Sequence, residues 1–150
     1  MRDPKSATKE HEAARKVLLR EDLPFADEVY RIVGAGIQVH ERLGPGFLEA
    51  VYQEALSIEF GLANIPFQEQ VRLGIRYRDR FLRQEYRCDF LAFDQILLEI
   101  KAIPALGNLE FAQILNYLAA TRKPVGLILN FGRTGKLEWK RLAGPSLLTG

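Results

Sequence analysis

The segment QILLEIKAI, residues 95–103, carries an acid and a base inside an otherwise apolar run. Its length and composition predict a buried β-strand. Because side chains alternate across a strand, Glu99 and Lys101 are expected on the same side. A buried charge is costly unless it has a partner or binds a metal. A buried ion pair, or an edge strand with two solvated charges, would be the ordinary structural explanation.

A second carboxylate nearby suggests chemistry instead. Asp89 lies on the preceding predicted strand, which a short FDQ connection joins to the strand with Glu99. Two adjacent carboxylates repel each other unless a cation lies between them, and oxygen ligands on rigid strands suit Mg²⁺. A lysine beside such a metal could hold a phosphate or orient a water. This is the composition of a site that cleaves phosphodiester bonds.

The hairpin between the two strands decides whether this hypothesis holds. A two-residue turn at Asp94 and Gln95 would pair Asp89 with Ile100 and turn Asp89 away from Glu99. A three-residue loop, or a bulge, would put Asp89 opposite Glu99 on one face. The hypothesis requires the second arrangement.

The rest of the chain predicts the elements that would hold these residues. Two amphipathic helices, in FADEVYRIVGAGIQVHERLG and FLEAVYQEALSIEFG, precede three strands in QEQVRLGIRYR, FLRQEYRCDFLAF and ILLEIKAI, which predict an antiparallel meander. NLEFAQILNYLAATRK predicts a third helix with Asn108 as N-cap and a buried stripe of Phe111, Leu115 and Leu118. PVGLILNF predicts a strand buried on both faces, and KLEWKRL a last strand.

The composition is that of one ordinary domain with short appendages. The chain has 150 residues, 47% of them hydrophobic, and its net charge of +2 does not by itself argue for nucleic acid. The single cysteine, Cys88, excludes an internal disulfide and favours a reducing, cytoplasmic compartment. Neither a secretory signal nor a membrane helix is expected. We expect a polar appendage over residues 1–22, one domain over residues 23–143 and a tail over residues 144–150.

Several segments together carry a resemblance to a known family. Asp89 followed by Glu99-Ile100-Lys101 resembles the signature of the PD-(D/E)XK nuclease superfamily. Within that superfamily the GxxExxY group is the closer match, because GPGFLEAVYQEAL has Gly46, Glu49 and Tyr52 at the spacing of that group. VHERLGPG before this motif, and AQILNYL and VGLILNFG after it, are also similar to the family.

The resemblance covers roughly residues 27–141 and implies a fold and an activity. The fold would be α/β, with a restriction-endonuclease-like core in which helices flank a mixed central β-sheet. The activity would be metal-dependent hydrolysis of nucleic-acid phosphodiester bonds, in DNA in the first place. The cofactor would be Mg²⁺, with Mn²⁺ as its alternative.

The resemblance also implies roles for individual residues. Glu49, Asp89 and Glu99 would bind the metal, and Lys101 would stabilise the phosphate or position the attacking water.

On the following helix, Gln113 and Tyr117 match a QxxxY element, and their spacing of four puts them on one helical face. Glu110 stands where the family often has a histidine, so a carboxylate facing the site would add negative charge near the substrate.

Arginines are dense on the first two predicted strands. A solvated sheet face is the ordinary explanation, and a phosphate-binding surface is the functional one. On the functional interpretation, the nucleic-acid-binding residues are Arg76, Arg78, Arg87 and Arg133.

Two rival interpretations remain open at this stage. The chain could be a catalytically inactive module that binds nucleic acid or a protein on the same fold, since fold alone does not establish function. The acids and the lysine could also form a structural ion-pair cluster with no ligand. The presence of all the proposed acids and of the lysine favours the enzyme. A chain of this length leaves little room for a specificity domain, so a homodimer or a partner protein would supply specificity.

Overall fold

The fold follows the predicted order of elements closely. A computed structural model describes residues 23–148, so the predicted polar appendage over residues 1–22, like residues 149–150, lies outside the described residues. The helices and strands, numbered along the chain, are α1 (Ala26–Leu43), α2 (Glu49–Leu62), β1 (Phe67–Tyr77), β2 (Arg80–Ala92), β3 (Ile96–Lys101), α3 (Asn108–Thr121), β4 (Val125–Asn130), β5 (Glu138–Ala143) and α4 (Pro145–Leu148). Only the short α4, within the predicted tail, was not expected from the sequence.

The strands form one mixed sheet in the order β1-β2-β3-β4-β5. β1, β2 and β3 pair antiparallel, which confirms the predicted meander. β3 and β4 run parallel, and α3 supplies the crossover that a parallel connection needs. β5 closes the sheet antiparallel to β4. The fold class is therefore α/β, with a mixed five-stranded sheet flanked by helices, as predicted.

Different helices cover the two faces of the sheet. α1 and α2 pack on one face through side chains such as Ile32 and Tyr52, and α3 packs on the other through Ile114 and Leu118. β4 lies between the two cores, and all six of its residues are buried. The prediction of a strand buried on both faces is thus confirmed, and the continuous apolar run is explained by its central position.

The β2–β3 hairpin has the register that the site hypothesis requires. Ala92 pairs with Ile96, so the connection has three residues, 93–95, and Phe93 and Asp94 both have positive φ angles. Left-handed residues let a short loop reverse the chain. The two-residue turn that would have separated Asp89 from Glu99 is absent.

Two details of α3 differ from the prediction. Gly107, and not Asn108, is the N-cap, and the Glu110 carboxylate accepts a hydrogen bond of 3.0 Å from the Gly107 N–H. Ile114 is buried, whereas Leu115 is 39% exposed. A shift of one residue rotates a helix by about 100°, so the sheet-facing stripe includes Ile114 and Leu118 and not Leu115.

No helix within residues 23–148 is long and apolar enough to cross a membrane.

Candidate active site

The candidate site lies where β2 separates from β3. The ladder between these strands runs from Ala92–Ile96 to Phe90–Leu98 and then ends. Continued by one residue, this register places Asp89 opposite Glu99. β3 goes on alone with β4 as far as the Lys101–Asn130 pair, while β2 stays with β1. The sheet therefore forks beside the residues that the sequence singled out.

A backbone hydrogen bond holds one of the two carboxylates at this fork. Asp89 Oδ2 accepts a hydrogen bond of 2.8 Å from the Ile100 N–H. The Asp89 N–H in turn lowers the pKa of the Glu99 carboxyl. The Asp89 carboxylate thus takes the place of the ladder partner that β3 loses, which fixes its position.

Both carboxyls ionise less readily than usual. Burial raises the pKa of Glu99 to about 7; the Lys101 ammonium opposes this shift and the Glu49 carboxylate adds to it. Burial also raises the pKa of Asp89, against the Ile100 N–H, the Lys101 ammonium and the Gln70 side chain, which lower it. Lys101 therefore acts electrostatically on both acids, as the opening pattern in the sequence suggested.

Two residues at the site were not predicted from the sequence. The Tyr86 hydroxyl donates a hydrogen bond to Glu99 Oε1, and the Tyr86 ring stacks on Tyr117 with centroids 3.6 Å apart. Gln70 has a left-handed backbone, with φ of 50°, inside β1 and acts on the Asp89 carboxyl. Tyr86 looked like an ordinary apolar strand position, and no sequence signal marks a left-handed residue within a strand.

A cavity of about 180 Å³ opens beside Glu99. Its polar lining comes from β2, β3 and α3 and includes Lys101, Arg87, Glu110, Gln113 and Tyr117. The two residues of the QxxxY element thus reach the same space as Glu99 and Lys101. Glu110 also lines it, so a negative charge does stand at this edge of the cavity.

Glu49 lies further from the other predicted ligands. It is the exposed first residue of α2, and it acts on Glu99 through charge. Among residues 23–148, no three His, Cys, Asp or Glu side chains are arranged to hold a metal ion. Glu49, Asp89 and Glu99 do not form a ready three-carboxylate cluster, because Glu49 is out in solvent and Tyr86 binds a Glu99 oxygen.

The chemistry of the fork nevertheless fits a hard divalent cation. Asp89 and Glu99 are partly buried carboxylates on rigid strands, and this burial disfavours their charged forms. A cation would remove that penalty. Mg²⁺ is commonly bound by only one or two carboxylates and completes its shell with waters, so two residues suffice.

The chain that follows Lys101 is held by a buried amide. Asn130 Oδ1 accepts hydrogen bonds from the Ile103 and Gly132 N–H groups, at 3.0 and 3.1 Å. Asn130 Nδ2 donates to Ile103 O at 3.0 Å and to Glu138 at 2.9 Å. The Phe131 N–H donates to Lys101 O at 2.8 Å. The end of β3, and with it Lys101, is therefore fixed to β4.

The four predicted arginines occupy three different places. Arg87 lines the cavity. Arg76 and Arg78 lie near the tip of the β1–β2 hairpin, over the Phe81 and Tyr77 rings. Arg133 lies in the loop between β4 and β5, toward the opposite edge of the sheet from β1, and forms an ion pair of 2.9 Å with Glu138. Only Arg87 is adjacent to the acids of the fork.

The raised pKa of Glu99 gives a prediction about stability. The unfolded chain ionises this carboxyl near pH 4.5 and the folded protein near pH 7, so the folded state holds the proton more tightly. The Glu99 contribution to stability is therefore complete below about pH 4.5 and is lost as the pH rises through 7. A Glu99→Gln protein escapes this loss, and above pH 8 it should be more stable than wild type by about 2–3 kcal/mol.

Urea unfolding in EDTA at pH 4.5, 6 and 8 measures this difference. Glu54→Gln, an exposed glutamate of α2, is the matched control and should follow wild type at every pH. Parallel profiles for wild type and Glu99→Gln would contradict the burial of an ionisable Glu99.

Known proteins give an independent comparison. A family model for the PD-(D/E)XK nuclease superfamily matches residues 26–142. No curated protein sequence gives a significant match. The solved crystal structure of SSO0001 is similar over 64% of this chain, with 17% sequence identity and a TM-score of 0.49, and the chain spans 50% of the length of that protein. Because the family model covers both helical layers, all the strands and the fork, the chain belongs to the PD-(D/E)XK nuclease superfamily.

Proposed function

We propose that this protein is a divalent-metal-dependent nuclease of the GxxExxY group that hydrolyses phosphodiester bonds, with DNA as its main substrate. The observation that carries the proposal is the fork between β2 and β3. It combines two partly buried carboxylates, Asp89 and Glu99, with an ammonium group, Lys101, that acts on both. Membership of a nuclease superfamily supports the same activity.

Asp89 and Glu99 would hold the metal, preferably Mg²⁺ with Mn²⁺ as a substitute. When bound, the cation would lower the pKa of a water and neutralise charge on the scissile phosphate. Glu49 would complete the site from the first turn of α2, because its charge already acts on Glu99. The Tyr86 hydroxyl must leave Glu99 Oε1, or share it, for that oxygen to serve as a ligand.

Lys101 would stabilise the negative charge that develops on the phosphate in the transition state. Its backbone is pinned by Phe131, so the ammonium is presented from a rigid strand. Gln113 and Tyr117 would contact the substrate or the attacking water from the α3 side of the cavity. The Tyr86 ring, stacked on Tyr117, would fix the orientation of that residue.

The proposed substrate contacts outside the fork are Arg76, Arg78, Arg87 and Arg133. A buried single cysteine fits a reducing, cytoplasmic compartment. Sequence or structure specificity would come from a second copy of the chain or from a partner protein, since the described domain has no module beyond the sheet and its helices.

One observation favours an inactive module that binds nucleic acid or protein as the second candidate. Within residues 23–148 no three-side-chain metal cluster is preformed, and Tyr86 holds the Glu99 carboxylate. If a cation cannot displace that hydroxyl, the same fold would bind its partner without cutting.

Cleavage of circular, linear and single-stranded DNA, and of RNA, with Mg²⁺, Mn²⁺ or EDTA tests the proposal directly. We expect cutting that needs the metal, and nicking of the circular form would identify an endonuclease. If no substrate is cut, yet titration calorimetry detects Mn²⁺ binding to wild type, the site binds metal but lacks its substrate or partner. An absence of both cutting and metal binding would reject the nuclease and favour the binding module.

A further inference from the structure

The β1–β2 hairpin extends well beyond the rest of the sheet. β2 pairs with β3 only through Phe90, Leu91 and Ala92, whereas its pairing with β1 continues to the Tyr77–Arg80 pair at the tip. Residues 71–88 therefore form a two-stranded ribbon that begins at the fork and leads away from it. We call this segment the ribbon.

The inner face of the ribbon packs on α3. Val71, Leu73 and Ile75 of β1, with Tyr86 and Cys88 of β2, belong to the apolar cluster that includes Ile114 and Leu118. Leu73 pairs with Tyr86 and Val71 with Cys88, so these side chains share one face.

The outer face of the ribbon is exposed and mostly basic. Arg72 pairs with Arg87, Gly74 with Glu85 and Arg76 with Phe81. Arg83 lies between the last two of these pairs, where the register of the two strands shifts. With Arg83, this stretch carries four arginines and a single acid, and all seven residues are exposed: Arg72, Gly74, Arg76, Phe81, Arg83, Glu85 and Arg87.

These arginines keep their charge available. None of the four forms an ion pair with a carboxylate among residues 23–148. A run of uncompensated arginines along one strand pair is typical of a surface that binds a polyanion. For a protein with a nuclease fold, the expected polyanion is a nucleic-acid backbone.

An aromatic platform lies at the far end of this face. Phe81 is 66% exposed, and the Arg76 guanidinium lies 5.1 Å from its ring centroid. The ring rests against Gly74, where a Cβ would come within 2.9 Å of it, so any larger residue would push the ring away. An exposed ring beside a guanidinium is suited to stacking on an unpaired base.

The near end of the ribbon lies beside the candidate site. Arg87 pairs with Arg72 on the outer face and is also among the residues that line the cavity beside Glu99. The Arg72–Arg87 and Arg76–Phe81 pairs lie four residues apart along β1, which is about 13 Å at roughly 3.3 Å per residue. A nucleic-acid strand would span that distance in at most about four nucleotides, the number at the duplex spacing of about 3.4 Å per phosphate.

We propose that the outer face of the ribbon is a track for a single-stranded stretch of DNA that enters the candidate site at Arg87. Arg72, Arg76, Arg83 and Arg87 contact its phosphates, and Phe81 stacks on a base up to about four nucleotides beyond Arg87. The proposal rests on the proposed function for its choice of DNA. It identifies the class of substrate as DNA with an unpaired segment next to the cleavage point.

Binding measured without metal separates this proposal from the nuclease activity. Fluorescence anisotropy of a labelled 18-nucleotide single strand in EDTA should show about tenfold weaker binding for Arg76→Gln/Arg83→Gln at 0.1 M salt. The slope of log affinity against log salt should also fall by about 0.7 for each lost phosphate contact. Glu85→Gln, which removes the acid from the track, should bind a few-fold more tightly, a gain that misfolding cannot imitate.

A matched control lies outside the ribbon. Gln38→Glu lowers the net charge by the same amount as Arg83→Gln, at an exposed residue of α1. It should leave DNA affinity within about twofold of wild type, because only charges beside the phosphates count. Phe81→Ser should weaken binding to the single strand and leave binding to a duplex of the same length unchanged.

Each result has a definite meaning. If Gln38→Glu weakens binding as much as Arg83→Gln, net charge and not the track controls affinity, and the proposal is wrong. If Phe81→Ser affects duplex and single strand equally, the unpaired segment is wrong. If the ribbon variants change the oligomeric state and leave DNA affinity unchanged, the outer face is an interface between two copies of the chain, and the track is rejected. If wild type cuts DNA and the ribbon variants do not change DNA binding, the nuclease activity is supported and the track is rejected. If the ribbon variants weaken DNA binding but wild type does not cut, the track is supported and the nuclease activity is rejected.

Discussion

The Lys101→Ala protein is expected to cut DNA slower than wild type by on the order of 100-fold or more, while its Mn²⁺ affinity stays unchanged or becomes slightly tighter. The ammonium group of Lys101 lowers the pKa of both Asp89 and Glu99, so it lies within electrostatic reach of any phosphate held there. Its removal takes away a positive charge that would stabilise the transition state and leaves in place both carboxylates that we propose to bind the metal. Initial rates on supercoiled plasmid at saturating Mn²⁺, beside calorimetric Mn²⁺ titrations, measure the two effects separately.

Asp89→Asn is the contrasting variant and should lose cutting and Mn²⁺ binding together. The asparagine carbonyl can still accept the hydrogen bond from the Ile100 N–H, so the fork should keep its shape. Two matched controls should behave as wild type: Asp94→Asn, in the exposed hairpin loop, and Lys136→Ala, in an exposed turn. Wild-type rates for Lys101→Ala would remove the lysine from the mechanism, and unchanged Mn²⁺ affinity for Asp89→Asn would move the metal elsewhere.

The second large effect concerns Tyr52, the tyrosine of the GxxExxY match. Its side chain is fully buried, and its ring stacks on Phe131 with centroids 4.7 Å apart. Its hydroxyl donates a hydrogen bond of 2.6 Å to Gly44 O and accepts one of 3.2 Å from the Phe47 N–H. Tyr52→Ala should lower the free energy of unfolding by about 3–5 kcal/mol, because it leaves a cavity and two unpaired backbone groups.

Tyr52→Phe isolates the hydroxyl from the ring. It keeps the stack on Phe131 but leaves Gly44 O and the Phe47 N–H without their partner, which should cost about 1–3 kcal/mol. Urea denaturation of both variants, with Tyr77→Ala as a control at a tyrosine that is 62% exposed, measures these differences. Equal stability of Tyr52→Phe and wild type would show that the hydroxyl serves another purpose, such as contact with a ligand.

These contacts suggest why a tyrosine stands three residues after Glu49. Gly44 and Gly46 have positive φ angles, so the turn before α2 adopts a backbone that other residues enter only with strain. The Tyr52 hydroxyl ties both sides of that turn to the core, and Glu49 begins α2 directly after it. A structural tyrosine thus fixes the approach of a proposed ligand.

Sequence patterns predicted the elements well because those elements depend on local periodicity. The uninterrupted apolar run of β4 indicated a strand covered on both faces, and all six of its residues are buried. In α3 the pattern was less decisive. Leu115 and Ile114 are both apolar, and only contact with the sheet selects Ile114 for the core.

The geometry of the candidate site was beyond the sequence for a different reason. The spacing in the sequence placed Glu99 and Lys101 on one side of a strand. Whether Asp89 would face them depended on the length of the loop 93–95, where one residue more or less changes the register. The hydrogen bond from Tyr86 to Glu99 joins two strands, and the left-handed backbone of Gln70 is a single irregularity within β1. Neither leaves a pattern along the chain, because residue type and periodicity do not specify a contact between strands or one irregular backbone angle.

By itself, then, the sequence determined the order of helices and strands, the mixed α/β class and the set of residues that we propose to bind metal and phosphate. Residue type and periodicity are local properties, and they can be read from the sequence without knowledge of the tertiary structure. The tertiary structure alone decided the register at the fork, the exposed position of Glu49 and the basic outer face of the ribbon. Those features depend on how strands pair and where they part, and pairing is settled by loop length and by the core on each face of the sheet.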